Sequence, residues 1–130
     1  MEYVTSLAGI SPVHLAGFFV GWPTPPSPVQ HWALLRGSTH IVLALDGDKV
    51  VGFINALSDG VLSAYIPLLE VRPEYQGTGV GSELVRRALD AIGDLYMIDL
   101  VCDENLMPFY ERFGMFRWNA AIKRSVTSSQ

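Results

Sequence analysis

The chain predicts an α+β fold in three layers with a mixed central sheet, an antiparallel meander followed by a parallel β-α-β unit. Three observations predict it. Apolar runs at 40–45, 50–56 and 62–71 are separated by Asp46-Gly47-Asp48 and Ser58-Asp59-Gly60, both hairpin turn signals. From Gly79 the apolar period becomes helical. Val80, Leu84, Val85, Ala88 and Ile92 fall on one face, with Glu83, Arg86, Arg87 and Asp90 on the other. A further apolar run, Tyr96 to Val101, follows that helix, and strands joined by such a crossover pair in parallel.

The elements follow in order. Tyr3 to Leu7 is a short strand. Ser11-Pro12 reads as N-cap and first helical residue, opening a helix through Phe19. Three prolines within Gly21-Trp22-Pro23-Thr24-Pro25-Pro26 end it, because proline lacks the amide a helix needs. Ser27-Pro28 repeats the cap and opens a helix to Leu35, closed by Gly37. Phe18, Phe19, Trp22 and Trp32 gather around this proline-rich stretch. Pro67, inside the third meander strand, marks a bulge or a position that donates no ladder bond. Gly93 closes the long helix as a C′ glycine does. Met107 to Phe113 is a short helix stopped by Gly114, and Met115 to Val126 reads as one or two strands. The predicted order is β-α-α-β-β-β-α-β-α-β(β), in one domain over 1–130.

Composition bounds the function. With 130 residues, 49% hydrophobic and 17% charged, the chain fills one core without a metal or disulfide staple. A net charge of −4 excludes the basic footprint of direct nucleic-acid binding and suits a cationic or amine partner. Arg117, Lys123 and Arg124 read as a solvated strand face. The single cysteine, Cys102, permits no internal disulfide and points to a reducing compartment. Met1-Glu2-Tyr3 begins no signal peptide, and no apolar run approaches the ~20 residues of a membrane span. A soluble, cytoplasmic protein with no membrane contact is expected. His14, His31 and His40 lack metal-ligand spacing and read as surface or capping residues, so no metal is expected.

The chemistry centres on Gln76-Gly77-Thr78-Gly79-Val80-Gly81-Ser82, between a strand and a helix. Glycines there permit positive φ and close approach of backbone to a ligand. Successive N–H groups and a helix N-terminus, carrying roughly half a positive charge, make an anion site suited to a pyrophosphate. A P-loop would need a lysine after the glycines. A dinucleotide fold would need G-x-G-x-x-G after the first strand. Neither condition is met.

The run Leu69-Glu70-Val71-Arg72-Pro73-Glu74-Tyr75-Gln76-Gly77-Thr78-Gly79-Val80-Gly81 and the segment Pro108-Phe109-Tyr110-Glu111-Arg112-Phe113-Gly114-Met115 resemble the GCN5-related N-acetyltransferase (GNAT) superfamily. The first run matches the Gln/Arg-x-x-Gly-x-Gly/Ala motif and the second the F-Y-E-x-x-G-F segment. The resemblance implies acetyl-CoA as cosubstrate, with its pyrophosphate on the amides of Gln76, Gly77, Thr78, Gly79, Val80, Gly81 and Ser82. It implies pantetheine paired with the backbone of Leu69 and Val71 like an added strand. The strands after Val71 and Tyr96 should splay to open that slot. It implies Tyr110 near the coenzyme sulfur as general acid, Asn105 as a further cofactor contact, and a possible homodimer through Phe116, Trp118 and Ile122.

Glu70 is the candidate base, an acid on an otherwise apolar strand; ordered water is the alternative. Asp99, Cys102 and Asp103 stand where an acceptor could touch them, and Cys102 reads as a buried thiol. The expected reaction is direct acetyl transfer to a primary amine of a small molecule or peptide. A non-catalytic acyl-CoA sensor and an interaction module are the rival readings.

Overall fold

The structure, a computed structural model, describes residues 1–125. They form two compact units, one over Met1–Leu100 and one from Val101 onward.

The first unit holds a five-stranded sheet: β1 (Glu2–Val4), β2 (His40–Asp46), β3 (Lys49–Ser58), β4 (Ser63–Val71) and β5 (Met97–Asp99). Their spatial order is the chain order. The first three pairings are antiparallel. β4 and β5 are parallel, in register from Ser63↔Met97 to Tyr65↔Asp99. Helix α2 (Val80–Ile92) makes the crossover between them. The mixed sheet and the β-α-β unit agree with the sequence.

Two layers cover the sheet. The apolar face of α2, from Val80 to Ile92, is buried and packs on β2, β3 and β4. Close approach is possible because Gly52 lacks a side chain: a Cβ there would stand 3.1 Å from Leu84 Cδ1. Residues alternate across a strand, so Phe53 faces the opposite layer. There Phe53 clusters with Leu15, Phe18, Phe19, Leu35, Leu43 and Val50. Leu35 comes from α1 (Pro28–Arg36), whose N-cap Ser27 accepts from Gln30 N at 3.1 Å and returns the bond through Gln30 Oε1 at 2.8 Å.

β4 carries the irregularity on which the site depends. Asn55 pairs with Leu68 and Leu57 with Tyr65, so Ile66 and Pro67 together oppose Ala56. Such a bulge bends a strand, and proline brings no ladder donor. The side chain of buried Asn55 repairs the ladder, its Oδ1 accepting from Leu68 N at 3.1 Å.

Several sequence expectations are corrected. The helix expected from Pro12 to Phe19 is a single 3-10 turn, Pro12–Leu15. Gly17 (φ 90°) and Phe19 (φ 65°) adopt the left-handed region, which no α-helix contains. β1 ends at Val4 and β5 spans only Met97–Asp99, both shorter than expected. His31 is neither surface nor cap: it is fully buried, with ring centroids of Phe18, Phe19 and Phe53 at 4.3–5.4 Å. His14 does cap, its Nδ1 accepting from Ser11 N at 2.9 Å.

In the second unit a 3-10 turn (Glu104–Leu106) leads into α3 (Met107–Glu111). Residues 115–125 contain no strand, against expectation. Apolar alternation selects a face, whereas a strand also needs a hydrogen-bonded neighbour, and this segment has none among the described residues. Phe116 and Trp118 are 76% and 84% exposed. The expected strand end at Val126 lies outside the described residues.

Candidate active site

β4 outruns its parallel partner. The β4–β5 ladder ends at Tyr65↔Asp99, and β4 continues to Val71. The bulge at Ile66-Pro67 falls immediately after the last paired residue, so the strands part where β4 bends. This places the splay earlier than Val71, and the slot runs along Leu68–Val71. Arg72 N donates to Val51 O at 2.8 Å and thus points towards β3. Ladder alternation therefore turns the amides of Leu69 and Val71 towards the opposite, free edge.

That edge runs into the glycine loop. Pro73–Tyr75 forms a 3-10 turn, Gly77 has φ 76°, and Gly79 is the N-cap of α2 with φ 90° and ψ 0°. No side chain caps the helix, and a Cβ at Gly77 or Gly79 would meet nothing within 4 Å. The glycines thus leave room beside the helix N-terminus, whose backbone donors suit an anion. Val80 differs from its neighbours: its side chain is buried in the core, leaving the amide as its contribution. Gly81 and Ser82 complete the first turn.

Side chains brace the loop. Gln76 Nε2 donates to Val71 O at 3.0 Å, and Thr78 Oγ1 donates to Tyr75 O. Tyr75 OH donates to Asp46 Oδ2 at 2.5 Å, raising the phenol pKa, and Lys49 pairs with Glu74 at 3.2 Å. The β2–β3 hairpin therefore holds the loop from outside. Glu83, an acid in the first turn of α2, would repel an anion. It is bound by Arg87 Nε at 2.6 Å and by Arg86, which hold its carboxyl below the usual range.

Glu70 is half-buried and accepts from the backbone N–H of Phe19. Burial raises its pKa; the Phe19 and Val20 amides and the Arg72 charge oppose the rise. Sequence reasoning missed this contact because the partners lie 51 residues apart. It also missed Asn55, whose one signal was an amide inside an apolar strand.

In the second unit Tyr110 lies on α3 and is buried, with Phe109 edge-on at 5.0 Å. Burial, with a smaller contribution from Cys102, pushes the phenol up to about 12. Cys102 is half-buried with Sγ 3.6 Å from Met107 Sδ. Burial and then Asp103 raise its pKa, which keeps it a thiol. Asn105 is exposed on the 3-10 turn, as is Asp103 just before it. Asp99 ends β5, exposed. Among the described residues no three His, Cys, Asp or Glu side chains gather into a metal-binding group.

A split parallel pair feeding a glycine loop at a helix N-terminus defines the class of fold, and comparison with known proteins names its family. Residues 7–115 match the Acetyltransferase (GNAT) family, and the chain belongs to that family. A solved structure from Deinococcus radiodurans R1, described as a "putative acetyltransferase", is 51% identical. It superposes with a TM-score of 0.93, covering 95% of this chain and 87% of that one. GCN5-related N-acetyltransferase 2, chloroplastic, of Arabidopsis thaliana is 32% identical over 117 residues, 73% of this chain. N-alpha-acetyltransferase 30 of Schizosaccharomyces pombe is 31% identical over 85 residues, 58% of this chain. The chain spans 45% and 57% of the length of these two curated relatives.

Proposed function

We propose that the protein is an N-acetyltransferase that moves an acetyl group from acetyl-CoA directly to a primary amine of a small molecule or peptide. The observation that carries this reading is the free edge of β4 beyond the Ile66-Pro67 bulge, continuous with the uncapped N-terminus of α2. An extended amide chain ending in a pyrophosphate fits such a rail and cradle: Leu69 and Val71 for the amides, residues 76–82 for the phosphates. Gln76 and Thr78 serve by bracing the loop, and Asn105 is proposed as a further cofactor contact by its place in the family motif order.

Acetyl-CoA supplies the activated thioester. The chain's residues hold it and manage protons. Tyr110 is the proposed general acid, its hydroxyl donating to the departing sulfur. A phenol near 12 is a weaker acid than a thiol in water, so full transfer is favourable only where the thiolate too is desolvated. The proton of the attacking amine leaves to water. Holding thioester and amine in line supplies the remainder of the acceleration.

The test is calorimetric titration with acetyl-CoA, followed by thiol release against polyamines, aminoglycosides, amino acids and peptide N-termini. Binding with turnover on an amine supports the reading. Binding without turnover on any of them favours an acyl-CoA sensor, and absence of binding removes the proposal.

A further inference from the structure

β4 presents two things at once. Its backbone at Leu69 and Val71 faces the free edge, while the side chains between and after them, Glu70 and Arg72, grip a distant stretch of chain. The Glu70 carboxylate accepts from Phe19 N, and the next amide, that of Val20, favours its charge. Arg72 Nε donates to Val50 O at 2.6 Å and Nη2 to His14 O at 3.4 Å, and the guanidinium lies 4.3 Å from the Phe18 ring. Gly17 packs so closely that a Cβ would stand 2.9 Å from Arg72 Nη1.

Between these grips the backbone is strained. Phe19 is the one non-glycine residue with positive φ among the described residues. A bulky residue there costs on the order of 1–3 kcal/mol unless its surroundings impose it. The Glu70 bond to Phe19 N, together with burial of the Phe19 ring, imposes it. The turn that results carries Trp22, whose N–H donates to Phe19 O at 3.2 Å and whose ring lies 5.0 Å from Phe19. Trp22 and Val20 are 47% and 65% exposed.

The two faces of β4 meet different layers. The face of Gly52 and Val71 is covered by α2, as the Leu84 contact at Gly52 shows. Glu70 lies on the other face, with Phe53 as its register partner. The Phe19–Trp22 turn therefore borders the face of the β4 rail on which Glu70 lies.

Resting on the proposed acetyl transfer, we infer that Glu70 is a positioning residue: its carboxylate latches the Phe19–Val20 turn and so fixes the acceptor side of the site. This differs from a proton-abstracting role. A carboxylate engaged by a backbone donor is held in place as an acceptor. The other charged or titratable groups at the latch are Arg72 on the same strand and His31 on α1, which packs on Phe19.

Glu70→Gln keeps the shape and removes the charge; Glu70→Asp keeps a carboxylate but withdraws it by one methylene. The latch predicts that hydrogen exchange at the Phe19 and Val20 amides accelerates by about tenfold or more in both variants. It predicts unchanged affinity for acetyl-CoA and an acceptor KM raised about tenfold with kcat nearly preserved. The acid limb of the kcat profile should remain in both. Unaltered exchange at the two amides overturns the latch, whether or not an acceptor has been found. So does a fall in kcat with loss of the acid limb in Gln and its return in Asp, which marks a general base. Failure of the wild-type protein to bind acetyl-CoA would count against the transferase reading and leave the exchange result to decide the latch alone.

Discussion

A phenol on α3 and an imidazole on α1 are both buried and titrate well away from their ordinary values. Tyr110, pushed up to about 12, keeps its proton throughout the range in which an amine acceptor is neutral. An acid catalyst is lost as pH rises through its own pKa, so kcat should show no alkaline limb below about pH 11. Tyr110→Phe should lower kcat by roughly ten- to a thousand-fold while calorimetric affinity for acetyl-CoA is retained. Full activity in the phenylalanine variant would reduce Tyr110 to packing. His31 is the reverse case. Burial first, then the Arg72 charge, lower it to about 4, while the Leu15 carbonyl opposes. Neither ring nitrogen has a hydrogen-bond partner among the described residues. The folded state thus favours the neutral ring, and its contribution is whole above pH 6.5 and declines as pH falls towards 4. A shift of this size is worth at most about 3 kcal/mol. His31→Leu should leave urea stability at pH 8 equal or higher, since an unpaired buried polar group is removed. It should also flatten the loss between pH 6.5 and 4. An unchanged acid slope would show that other groups set it.

The loop and α2 act as one element. Gly79 needs φ 90°, where a β-branched residue is strained even though space is open. Gly79→Val should therefore weaken acetyl-CoA binding by at least about tenfold through a distorted first turn, read by calorimetry on a variant with native circular dichroism. Unchanged affinity in the folded variant would remove the loop from the donor site. This element was legible in the sequence because everything that makes it is local: two glycines, a change of period and a C′ glycine lie within twenty residues. The Pro12–Phe19 segment was illegible for the opposite reason. Its cap signals are genuine, yet the turn at Phe19 is imposed by Glu70 and Arg72 from across the sheet, a tertiary override of local propensity. Pro67 announced the bulge, but the ladder repair by Asn55 needed the register to be seen.

At the scale of the molecule, the meander, the crossover and the family could be read from sequence, whereas the C-terminal stretch could not. Alternating apolar residues predicted strands there, and the described segment is extended without a ladder. Its Phe116 and Trp118 rings, 6.2 Å apart, stand exposed with Ile122. We propose that a second copy of the chain covers them. Sedimentation should then report a dimer at micromolar concentration, shifted to monomer by Trp118→Ser. A wild-type monomer under those conditions would dispose of the idea.

The open edge of β4 has a cost of its own. A strand with unsatisfied amides is a template for another chain, the same geometry by which fibrils grow. Pro67 interrupts that template at its near end, since it offers no donor. The far end, Leu68 to Val71, is protected only while something lies along it. A bound donor would then be a chaperone as well as a reagent, shielding a sticky seam whenever acyl supply is high. Heated below its melting point, the protein should scatter light sooner alone than with saturating acetyl-CoA. Equal scattering onset at equal melting temperature would show that the seam guards itself.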